Sequence, residues 1–110
     1  GDYLPLGVFA LAPAGAKDPS ALVQLALSKQ GELRGNYCDI VTGHEQTLTG
    51  HLDTQTQLAT FKPDSTGAAE FEVSLVSLTR TEGSARLRFD NGQTQDWSLA
   101  RFELPPVAAN

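Results

Sequence analysis

Methionine is absent from the 110 residues, cysteine occurs once, at Cys38, and tryptophan once, at Trp97. A lone cysteine leaves no internal disulfide, so oxidation cannot hold the fold together. Cys38 also makes a poor nucleophile. Arg34 and His44 are the nearest groups that could activate it, and no Gly-x-Ser-x-Gly or Ser-x-x-Lys pattern accompanies it. Positive charge is scarce too. Eight Lys and Arg stand against thirteen Asp and Glu, a net charge of −5 with neutral histidines. That balance argues against nucleic acid as a partner, because affinity there comes from cations neutralising phosphates. The basic residues are dispersed, which leaves no polybasic patch for a membrane surface. Long apolar runs are missing as well. The longest, Val8–Pro13, is too short to cross a bilayer, so direct membrane insertion is not expected.

What is present is a recurring local pattern: a short apolar strand, a turn containing Gly or Asx, and a returning strand. It spans Leu25–Tyr37 around Lys29-Gln30-Gly31, Leu48–Phe61 around Asp53, and Ala85–Leu99 around Asn91-Gly92. Tight turns between period-two segments mark an antiparallel meander. Tyr3–Leu11 is apolar on both faces and reads as a buried strand, and Pro13–Ser20 and Pro63–Gly67 read as loops. Leu33, Gly35 and Tyr37 share one face of a strand, as do Leu48, Gly50 and Leu52; an inner-face glycine marks a bend where a sheet curls towards closure. Glu70–Thr79 fits two periods at once. Phe71, Val73 and Leu75 alternate, while Phe71, Leu75 and Leu78 fit a helix. The expected fold is therefore an all-β up-and-down meander, a barrel of roughly seven or eight strands with a short helical segment near residues 70–80. One domain over 1–104 is expected, with a tail at 105–110.

Few residues suggest chemistry. His44 and His51 would face opposite ways on one extended strand, and neither a metal site nor a cofactor is expected. Cys38, Asp39 and His44 could assemble a nucleophile, base and orienter only if folding brought them together. Glu70 and Glu72 share a face, which reads as a solvated wall rather than a catalytic pair. Tyr37, Trp97 and the adjacent Asn36 are the candidate ligand-binding residues. Tyr37 and Trp97 lie on the predicted inner face, each with an apolar body and a polar tip; as ordinary core aromatics they would simply fill the interior.

Four segments carry a resemblance: Tyr3–Leu11, Leu25–Gly31, Arg34-Gly-Asn-Tyr37 with Thr42-Gly43, and Thr94-Gln-x-Trp97 with Ala100-Arg101. Together they resemble a domain of planctomycete proteins labelled mu-protocadherin-like cell-surface proteins, a family of unknown function. The resemblance implies an exported, extracytoplasmic or cell-surface bacterial protein. The chain departs from the family pattern at Val73–Gly83, where the family has a more helix-like segment. Gly31–Tyr37 followed by Leu48–Asp53 is also similar to the strand rhythm of avidin and calycin barrels. The avidin likeness implies architecture rather than a biotin site, since avidin sites are walled by several tryptophans. A chain without methionine is expected to be excised from a longer protein. The functional expectation is a non-catalytic structural or protein-interaction module of a larger exported surface protein, with an unknown protein or surface component as its partner. A small-ligand-binding barrel is the alternative.

Overall fold

Alternating apolar and polar residues become eight antiparallel strands in the computed structural model, which describes residues 2–64 and 69–102. The strands are β1 (Tyr3–Pro13), β2 (Ala21–Ser28), β3 (Glu32–Asp39), β4 (Glu45–Asp53), β5 (Leu58–Pro63), β6 (Glu70–Ser74), β7 (Glu82–Arg88) and β8 (Thr94–Arg101). A short helix, α1 (Leu75–Thr79), lies between β6 and β7. Each strand pairs with the next, and β8 pairs back onto β1 (Leu11 opposite Leu99), so the sheet closes into an eight-stranded up-and-down barrel. Closure leaves the middle of the sheet without an edge to guard. The expected loop at Pro63–Gly67 lies partly, and the expected tail at 105–110 wholly, outside the described residues.

The inner face of every strand feeds one core. Phe9, Leu11, Val23, Leu25, Leu33, Leu48, Phe61, Val73 and Leu99 are its largest fully buried side chains. Each contributes about 1.5–3 kcal/mol of burial on removal from water, enough to make inner-face alternation the dominant determinant of register. Gly35 and Gly50 sit on this face where neighbouring backbone comes closest: a Cβ on Gly35 would meet the carbonyl of Gln24, and one on Gly50 that of Thr60.

Glu70–Thr79 satisfies both of its periods in succession. Phe71 and Val73 point inward from β6, and Ser74 then caps α1, its Oγ accepting from the Ser77 N–H at 3.2 Å. A serine side chain that satisfies a first-turn donor is what converts the strand into a helix at that residue. Leu78 is thereby turned into the core, closing the lower end of the barrel, where β1 starts and β8 ends.

One expectation needs correction. β1 is not buried throughout, since Tyr3 and Leu4 are 36% and 63% exposed. The strand pairs with β2 from Tyr3 to Leu11 but with β8 only from Phe9 onward, so its first half overhangs the barrel, past a bulge between Pro5 and Gly7.

The turns at the two ends of β4 are built alike. Asp39 Oδ1 accepts from the N–H groups of Val41 and Thr42, and Asp53 Oδ1 from those of Gln55 and Thr56. Each then closes through its own carbonyl, onto Gly43 and Gln57 respectively. Both closing residues have positive φ, 73° at Gly43 and 59° at Gln57. Gln57 thus occupies a conformation that costs a side-chain-bearing residue about 1 kcal/mol. Gln57→Gly is expected to stabilise the domain by about 0.5 kcal/mol, part of the relief being lost to chain entropy; a urea denaturation midpoint reads it.

Candidate functional site

At the upper end, opposite α1, four inward aromatic rings from four strands meet. Phe71 of β6 stacks on Phe61 of β5 with centroids 5.6 Å apart and on Tyr37 of β3 at 6.4 Å. It meets Trp97 of β8 edge-on at 5.2 Å. These separations lie in the range where aromatic pairs add about 0.5–1.5 kcal/mol beyond burial. Tyr37 and Trp97 are therefore brought together, with Phe71 between them. Asn36 is not with them: it sits on the outer wall, exposed, with Gln24 and Thr47 as its cross-strand neighbours.

Phe61 and Phe71 belong to this cluster but are not among the sequence candidates. The signal for them was available. Folding the β5–β6 hairpin about its loop places Phe61 directly opposite Phe71.

The polar tips behave differently. The Trp97 indole N–H donates to Gln95 Oε1 at 3.0 Å, leaving the ring only 9% exposed. Half-burial, and after it the negative charge of Asp39, push the Tyr37 phenol above its ordinary value of 10.0. The folded state thus holds this proton more tightly than the unfolded chain does. Its contribution to stability is complete below the unfolded value and is lost as pH rises from there through the folded value. Tyr37→Phe is expected to remove a phenolate transition from the alkaline absorbance titration and to flatten the loss of stability above pH 10.

The remaining candidates are dispersed. Cys38 faces the outer wall, its thiol weakly directed at the Asp39 carbonyl at 3.9 Å. The Asp39 carboxylate is engaged by its own turn, and His44 is exposed at the end of that turn. His51 is exposed on the outer wall of β4. Among the described residues, no group of three or more His, Cys, Asp and Glu side chains is arranged to hold a metal ion. Glu72 is paired with Arg88 at 2.9 Å. It borders an open groove of about 710 Å³ on the outer wall of β6–β8, together with Ser84, Arg86 and Asp96. That volume suits a ligand site, but enclosed sites bury most of their ligand, whereas this floor is the solvent side of a sheet.

No family model, curated protein or solved structure matches the chain. Among the described residues no helix is long and apolar enough to cross a membrane.

Proposed function

We propose that the domain is a non-catalytic structural or protein-interaction module of a larger exported bacterial cell-surface protein. The observation that supports this reading is the barrel interior. Side chains from all eight strands and α1 form one buried cluster, and four aromatic rings, stacked or edge-on, pack at the upper end. A barrel of about eight strands is just wide enough for its own side chains to fill. The outer wall and the end loops are then the surfaces left for partners. The β3–β4 turn fits that role: Asp39 holds it rigid while presenting Ile40 and Val41, the latter 84% exposed. Labelling intact source cells with a membrane-impermeant amine reagent tests the location. Recovery of labelled domain is expected, and labelling only after lysis would defeat the surface assignment.

A second reading, a small-ligand-binding barrel of the calycin or avidin type, draws on one observation: Tyr37 and Trp97 converge on Phe71. Native mass spectrometry of the purified domain separates the two. An unadorned chain mass is expected for the module, whereas a retained small-molecule mass abolished by Tyr37→Ala would put the binder first.

A further inference from the structure

The outer wall is divided by polarity. Across β6–β8 it carries a charged row in which Glu72, Arg86 and Asp96 stand side by side. Where β8, β1, β2 and β3 adjoin, the row is Ala100, Ala10, Leu22 and Cys38, none of them charged. The next row down is Val8, Gln24 and Asn36, again without charge. A strand apolar on both sides is expected where both sides are covered, yet the barrel covers only the inner side of β1.

From this arrangement we infer that the uncharged wall docks a second copy of the chain. Two molecules that each carry −5 repel each other least across a face that has no carboxylate within it. The neighbours of the wall fix the orientation. The upper row ends on a carboxylate at each side, Glu45 beside Cys38 and Glu82 beside Ala100, and Arg34 lies beside Ala26 in the lower row. A two-fold axis crossing the strands at the Val8–Gln24–Asn36 row sets the upper row of one copy on the lower row of the other. Leu22 then meets Ala26, a large side chain against a small one, and Arg34 comes within reach of Glu45 twice in the dimer. On the axis, Gln24 and Asn36 each face their own counterpart. Primary amides suit that position because each offers both donor and acceptor.

Magnitude sets the conditions. The three rows hold four, three and two outward positions; at about 4.8 Å between strands and about 6.8 Å along them they cover roughly 300 Å², less than half of the roughly 800 Å² per partner of a stable complex. Association over so small a face is therefore weak. Among the described residues, Arg34 lies 3.9 Å from exposed Glu32 and 5.7 Å from the centroid of the Tyr3 ring.

Sedimentation equilibrium from about 10 µM to about 1 mM in low salt covers the range in which a weak complex is read. The wild-type chain is expected to dimerise, and Arg34→Glu or Glu45→Arg alone to weaken the dimer about tenfold or more. The double variant R34E/E45R is expected to return to within about threefold of wild type, because complementarity across the axis is restored. A wild-type monomer throughout the range overturns the proposal. So does a dimer indifferent to either reversal, or one that the double variant fails to restore. The pairing is independent of the surface-module reading, and intact-cell labelling does not bear on it.

Discussion

Gly35→Ala is expected to destabilise the domain by about 3 kcal/mol or more, and Gly50→Ala by a similar amount, beyond the usual cost of overpacking. At most inner positions an added methyl group meets side chains that can rotate away. At Gly35 it meets the Gln24 carbonyl and, 3.3 Å away, the Leu25 Cα. At Gly50 it meets the Thr60 carbonyl and, 2.7 Å away, the Phe61 Cα. These are backbone atoms of β2 and β5, held by ladders on both sides, so relief requires moving a strand rather than a rotamer. Gly83→Ala is the comparison, because its nearest obstacle is the Ser77 side chain at 2.6 Å. A smaller loss is expected there, confined to the docking of α1. Chemical denaturation ranks the three. Equal losses would show that the close backbone approach is not what the two inner glycines provide.

Arg101→Met should cost about 3 kcal/mol, a large effect for a half-buried cation with no acidic partner among the described residues. Its guanidinium donates to the Leu6 carbonyl at 2.9 Å and to the Leu78 carbonyl, and its charge lies 4.9 Å from the centre of the Phe9 ring. Each acceptor is left over by the backbone around it. Leu6 lies within the bulge where the β1 ladder is interrupted, and Leu78 is in the last turn of α1, whose carbonyls have no helical donor. Hydrogen bonds to a charged donor are worth about 1.5–3 kcal/mol each, and a stranded buried acceptor adds to the loss. Arg101→Lys can serve one carbonyl but not both, so about half the loss is expected. Faster amide exchange in α1 than in β2–β4 would locate the damage. A loss below about 1 kcal/mol for Arg101→Met would mean that water replaces the guanidinium.

These two sites differ in how readable they were. The fold was largely legible because its determinants are local: alternation assigns Leu33, Gly35 and Tyr37 to one face, and Asp53 and Asn91-Gly92 mark turns within a few residues. The inner-face glycines were legible as bends, though which carbonyl each admits depends on the neighbouring strand. Arg101 was not legible as a tether, because its partners lie 95 and 23 residues away. The aromatic cluster was half legible. Tyr37 and Trp97 stood out through their polar tips; Phe61 and Phe71 carry none, and although their hairpin pairs them, their meeting with Tyr37 and Trp97 depends on how far the sheet curls. Asn36 follows directly from period two: beside an inward Tyr37 it must point outward. The overhang of β1 could not be read from residue type, since Tyr3 and Leu4 are apolar and only the length of β8 decides how far their strand is covered.

The first and last strands lie side by side and run in opposite directions, so the chain enters β1 and leaves β8 at the same end of the barrel. A tension applied through those two points would not slide the strands along each other and load the ladder as a whole. It would peel β8 from β1 one rung at a time, beginning where the Phe102 N–H meets the Val8 carbonyl. Pulled from its ends, such a barrel opens at a seam and not across the whole of its ladder.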